Sequence, residues 1–234
     1  MTTAHLDPIT FEGPHGPVEA QLARPAVPGP YPAVLLLQEG LGVTQHLLRL
    51  ARRFADAGYL TLVPNLYSRE PAHKQPTEQE VLPFPDVLAA VQYLKRHALV
   101  RPDAIASVGF SLGGGLSAEL AASGAGLAAG VIYYGQGPKL DQLGKISHPL
   151  LGHYAENDPA ITPYVRALHA QLKAAGKRFE AFIYAGTDHG FFSDSRPVYK
   201  RDAAELAHTR TLEFLGKQLA RTTPLPHEKA ALAW

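Results

Sequence analysis

Short apolar runs without polar alternation recur along this chain, and most give way to a stretch with apolar residues at helical spacing. A strand with one wet face alternates in polarity, whereas a continuous apolar strand is buried on both faces. Pro32 to Gln38 (PAVLLLQ) is such a strand. Thr44 to Ala57 follows as a helix, with Leu47, Leu48, Leu50, Ala51, Phe54 and Ala55 on one side and Gly58 as the stop. The same reading makes strands of Tyr59 to Val63, Ile105 to Phe110, Gly130 to Tyr134, Pro149 to Tyr154 and Phe179 to Tyr184. It makes helices of Asp86 to His97, Leu112 to Ala122, Thr162 to Ala175 and Pro197 to Ala220. Strands that alternate with helices imply an α/β fold: a mostly parallel central sheet flanked by helices on both faces. No repeat or linker divides the chain. Residues 1–234 are expected to form one domain, with 222–234 as a C-terminal tail of unassigned role that includes Trp234.

Composition removes several function classes. Hydrophobic residues make up 46% and charged residues 18%, the balance of a packed globule. The net charge is +1, with no basic excess to hold nucleic acid or an anionic membrane surface. There is no cysteine, so disulfides, thiolate zinc sites and a thiol nucleophile are out of reach. Eleven histidines fall in no metal-ligand spacing, so no metal is expected. The first residues, MTTAHLDPITFEGPHG, lack the basic and apolar regions of a signal peptide. The longest uncharged stretch, Leu120 to Pro138, is broken by glycines and does not read as a membrane span. The expectation is a soluble, cytoplasmic protein.

The sharpest chemical signal is Ser107-Val-Gly-Phe-Ser-Leu-Gly-Gly-Gly115, in which Gly109-x-Ser111-x-Gly113 stands directly after an apolar strand and before a helix. A strand-to-helix turn this tight leaves no room for side chains at its flanks. It lifts the Ser111 hydroxyl into the open at a helix N-terminus, where negative charge is favoured. The backbone N–H of Leu112 then becomes an oxyanion donor. The bland alternative is a capping serine in an ordinary connection.

A nucleophile needs a base and an acid, and both follow in order. Asp158 lies in HYAENDP after one strand, and His189 lies in YAGTDHGFF after the last strand. Ser, Asp, His is the order of an α/β-hydrolase. Glu156 and Asp188 compete with Asp158. Asp188 is the weaker choice, because adjacent loop residues rarely orient one another. Asp158 before Pro159 also suits a plain turn. In this scheme His189 takes the Ser111 proton, Asp158 holds the imidazole, and water hydrolyses the acyl-enzyme, with no cofactor. Tyr134 ends a strand on the same side and is a candidate pocket wall, with core packing as the alternative.

Glu39, in LLLQEGLGV, is the odd residue: a carboxylate at the end of a buried strand costs free energy unless it is paired or wet. On that stretch alone a solvated strand end is the plainer reading. The wider pattern resembles the dienelactone hydrolases over about Thr10 to Ala220, through LQEGLGV, VPNLYSRE, VGFSLGGG, VIYYG, LLGHYAENDP and YAGTDHGF. By that resemblance Glu39 maps onto a glutamate that lies close to the nucleophile, and the Gly40 N–H maps onto the second oxyanion donor. Two positions depart from the family. Its best-known members use cysteine where this chain has Ser111. Members that act on dienelactone carry arginine four residues past the histidine, where this chain has Ser193, and the loop Pro71 to Pro83 holds no arginine. Arg69 and Arg196 are near in sequence, but sequence does not place them.

These observations lead to an expected serine hydrolase of a small ester or lactone. A general short-chain carboxylesterase or acyl-peptide hydrolase with the same three residues is the enzymatic alternative. A non-catalytic binder of a small ligand would be expected to lack one of the three, and none is missing. A polar loop from Ser68 to Pro83 reads as a surface connection, with a lid as the alternative.

Overall fold

The computed structural model describes residues 4–69 and 84–220. Residues 70–83 of the polar loop read as a surface connection, the tail and Trp234 lie outside the described residues. Eight strands form one sheet: β1 (His5–Gly13), β2 (Gly16–Arg24), β3 (Tyr31–Leu37), β4 (Leu60–Pro64), β5 (Val100–Phe110), β6 (Ala129–Tyr133), β7 (Leu150–Asn157) and β8 (Phe179–Asp188). Their spatial order is β1-β2-β4-β3-β5-β6-β7-β8. β1 and β2 form an antiparallel hairpin, β2 meets β4 antiparallel, and every later pairing is parallel. The expected mostly parallel α/β sheet is therefore what the chain forms.

The helices are α1 (Gln45–Asp56), α2 (Phe84–Arg96), α3 (Leu112–Ala122), α4 (Thr162–Ala174) and α5 (Arg201–Leu219), with a 3₁₀ turn at Leu140–Lys145. β3 shows why its apolar run is continuous. Val34 and Leu36 pack into the core under α1 and α5, while Ala33, Leu35 and Leu37 pack into the core under α2 and α3. A third cluster joins α4 to α3 and β7 through Val165, Leu168, Leu172, Ala118 and Tyr154. The start of α1 follows its sequence signal: the Thr44 hydroxyl accepts from the Leu47 N–H at 3.3 Å. Its stop is Gly58, at φ +96.

The hairpin is the main departure from the sequence expectation. Neither β1 nor β2 is a continuous apolar run, because over most of their length buried residues alternate with exposed or half-exposed ones. In β2, Val18, Ala20 and Leu22 face the core while Glu19 and Gln21 alternate with them. β1 is the sheet edge and tolerates Pro8 there. A two-residue turn, Pro14-His15, closes the hairpin between Gly13 and Gly16, the latter at φ +108. β5 begins at Val100 rather than Ile105, and α5 begins at Arg201 rather than Pro197. β7 and β8 run on to Asn157 and Asp188, so Asp158 and His189 are each the first residue beyond a strand.

Behind the sheet lies a buried polar network. His153 is fully buried, with Nδ1 2.8 Å from the Tyr184 hydroxyl and Nε2 3.0 Å from Thr211 Oγ1. Burial pushes its pKa down to about 3, and pushes those of His148 and His208 down to about 4. In an unfolded chain these imidazoles titrate near 6.5. The unfolded state therefore binds more protons below that pH, and stability present above it is lost as pH falls toward 4. The urea midpoint should hold between pH 8 and 7 and drop clearly by pH 5. Each of the three histidines would contribute a loss on the order of 1–2 kcal/mol at that pH. A midpoint unchanged between pH 7 and 5 would show that these histidines are not neutral and buried.

Candidate active site

Ser111 sits between β5 and α3 at φ +51, a left-handed conformation that non-glycine residues adopt only where the surroundings enforce it. The flanking glycines make room for the tight turn, and backbone hydrogen bonds hold it. A Cβ on Gly109 would lie 1.8 Å from the Gly113 carbonyl oxygen, and one on Gly113 would lie 2.5 Å from the Leu37 carbonyl oxygen. The Ser111 N–H donates to the Tyr133 carbonyl at 2.9 Å, and the Gly113 N–H donates to the Gln38 carbonyl at 3.1 Å. The second bond ties the segment running into Glu39 and Gly40 to the first turn of α3. The hydroxyl makes no capping bond to α3. It faces His189 instead, with Oγ 3.0 Å from Nε2.

The other imidazole nitrogen, Nδ1, lies 2.7 Å from Asp158 Oδ2. Asp158 is buried, and its second oxygen accepts from the Ile161 N–H at 3.2 Å, which fixes the carboxylate in its turn. Among the described residues neither competing acid hydrogen-bonds the His189 ring. Glu156 accepts from the Gly186 N–H at 2.9 Å. Asp188 ends β8 opposite Asn157, and its carbonyl accepts from the Phe191 N–H at 3.1 Å. Leu112 opens α3, so its N–H is one of the helix's first four, which have no intrahelical partner.

Glu39 does not emerge into water, which corrects the plainer reading of its strand. It is buried, and Oε1 accepts from the Tyr134 hydroxyl at 2.8 Å. Arg196 Nε lies 3.3 Å from Oε2, an ion pair without the direction of a hydrogen bond. Tyr134, fully buried at φ +37, presents its ring edge-on to His189 with centroids 5.0 Å apart. Burial first, and then the Glu39 charge, push its pKa well above the ordinary value, so it stays a protonated donor. Core packing and pocket lining, the two options for Tyr134, are both met by this one residue.

A cleft of about 360 Å³ opens over Ser111 and His189, walled by Leu112, Gly115, Tyr134, Gln136, Ala160 and Ile161. No cation lines it among the described residues. Arg69, one of the two unplaced arginines, pairs with buried Asp86 near the hairpin. Ser193 is buried, its N–H on the Gly190 carbonyl at 3.0 Å. Gln136, Ile161 and Arg196 carry no motif; only Gln136 had a cue, following Tyr134-Gly135 at a strand end. Larger clefts lie between β1 and α2 and under the starts of β7 and β8, and neither holds a serine beside a histidine. Among the described residues no three histidine, aspartate or glutamate side chains could together hold a metal ion. No helix there is long and apolar enough to cross a membrane.

Residues 18–219 match the model of the dienelactone hydrolase family. The chain is 32% identical over 218 residues to a Bradyrhizobium protein described as a probable 2-oxo-3-(5-oxofuran-2-ylidene)propanoate lactonase, covering 84% of this chain and 88% of that one. It is 27% identical over 256 residues to a Saccharolobus solfataricus protein named as a presumed carboxymethylenebutenolidase, covering 88% and 96%. The crystal structure of a presumed dienelactone hydrolase from Klebsiella pneumoniae superposes with a TM-score of 0.84 at 26% identity, over 92% of this chain and all of that one.

Proposed function

Because the chain belongs to the dienelactone hydrolase family and is a hydrolase of that kind, we propose that it cleaves a small carboxylic ester or lactone through an acyl-enzyme on Ser111. The observation that carries this is the unbroken relay from Ser111 Oγ to His189 Nε2 at 3.0 Å and from His189 Nδ1 to Asp158 at 2.7 Å. With the proton on Nδ1, His189 donates to Asp158, and its bare Nε2 faces the hydroxyl. Nε2 takes the proton as Oγ attacks the substrate carbonyl, and the carbonyl π electrons move onto oxygen. The N–H groups of Leu112 and Gly40 receive that oxyanion, each donor worth roughly 3–4 kcal/mol. The tetrahedral intermediate collapses, His189 protonates the leaving alkoxide, and the acyl group stays on Oγ. Water, deprotonated by the same nitrogen, then releases the acid.

Serine changes what Glu39 can contribute. In the resemblance, the glutamate helps to generate a thiolate. A serine alkoxide is not reached that way, so the base here is His189. Glu39 holds the Tyr134 hydroxyl, the Tyr134 ring packs against the His189 imidazole, and Arg196 offsets the Glu39 charge. Its role in this chain is to set the position of Tyr134 and, through that ring, of the imidazole.

The same relay serves a general carboxylesterase. A non-catalytic binder is disfavoured by a serine hydroxyl that leaves its helix uncapped and faces a histidine. Incubation with a fluorophosphonate should add one phosphonyl group to the protein, located on Ser111 by peptide mass spectrometry. No adduct, or an adduct elsewhere, would contradict the acyl-enzyme mechanism.

A further inference from the structure

Of the consecutive glycines that open α3, two have a steric reason to be there and one does not. A Cβ on Gly113 would strike the backbone of β3, and one on Gly114 would press on Gly135 at 3.0 Å. A Cβ on Gly115 would meet nothing within 4 Å, and its φ is not positive. Glycine is a poorer helix former than alanine at such a position. Neither conformation nor packing therefore explains Gly115.

Its location does. Gly115 lines the cleft over Ser111 and also a second cleft of about 190 Å³ alongside α3. The two share Leu112, Gly115 and Gln136. The second cleft adds Leu116 and Pro138, both buried, and the amide of Gln142. Its charged residues, Glu119 and Lys139, are exposed and pair with no other described residue in an ion bridge. A side chain at position 115 would project into the open space where the clefts meet.

We propose, on the basis of the Ser111 reading above, that Gly115 keeps a passage open from the reacting carbonyl into the second cleft, and that this passage takes an uncharged alkyl arm of the substrate ester. Gly115 is then a specificity-determining residue. The substrate class is an ester with one aliphatic arm, not a compact carboxylate-bearing lactone, which would find no cation in the described wall of the Ser111 cleft. The arm can belong to the acyl or the alcohol side, and the two are separable in solution.

The test is kcat/KM for p-nitrophenyl acetate through octanoate and, in parallel, for alkyl acetates from ethyl to octyl. Each methylene that enters the cleft should raise kcat/KM by up to about fourfold. The wild type is expected to prefer a six-carbon over a two-carbon arm by at least tenfold in one series, which identifies the arm. Gly115→Leu should reduce that ratio to below threefold, with a Tm no lower than the wild type. Gly115→Ala should fall between them. A wild-type ratio near one in both series, or an unchanged ratio in Gly115→Leu, overturns the proposal. Absence of any ester turnover would instead remove the Ser111 reading, and this inference with it. Turnover of acetates without chain-length preference removes only the inference.

Discussion

Ser111→Ala should lower kcat for a small activated ester by at least about 10⁴-fold while the protein stays folded. The expectation follows from geometry rather than from the motif alone. Ser111 Oγ is the atom that His189 Nε2 faces, and it makes no bond to the helix it precedes. Removing it leaves the proposed oxyanion donors and the cleft, which by themselves retain only residual catalysis. The cost to stability should be small, because the backbone bonds that hold the turn come from the Ser111 N–H and carbonyl, not from the hydroxyl. The measurement is steady-state hydrolysis of p-nitrophenyl acetate, with circular dichroism to check the fold. Residual activity within tenfold of the wild type, in a folded variant, would mean that the reaction does not pass through Ser111.

Asp158→Asn should cost about 10³–10⁴-fold in kcat, and Asp188→Asn less than about threefold. Asparagine keeps the shape of Asp158 but can present an N–H to His189 Nδ1. The imidazole then turns its own N–H toward Ser111, and the base is lost. Asp188 adjoins the histidine in sequence, yet the carboxylate that accepts from Nδ1 is that of Asp158. Equal losses in the two variants would show that the acid has been misassigned.

The arrangement of strands and helices was readable because burial on two faces leaves a continuous apolar run, as in β3. The same rule passes over β1 and β2, where buried residues mostly alternate with exposed ones, and over the Pro14-His15 turn between them. Boundaries shifted where polar residues continue a strand, as Glu156 and Asn157 do in β7.

The serine turn was legible along the chain because the reason for it is local. Gly109, Ser111 and Gly113 are within five residues of one another, and their crowding is already implied by a strand that runs straight into a helix. The order of Ser111, Asp158 and His189 was legible too, as was the placing of each of the last two after a strand. Tertiary structure decided what no spacing encodes. Tyr134 reaches Glu39 across 95 residues of chain, and Arg196 meets Glu39 only because the loop after β8 folds back over the end of β3. A carboxylate at a strand end can be wet or paired, and the choice depends on side chains brought alongside by other strands. Gly115 is the same case in reverse. Nothing in LGGGL distinguishes the glycine that packing requires from the one beside open space, because that difference lies in what the rest of the fold leaves empty.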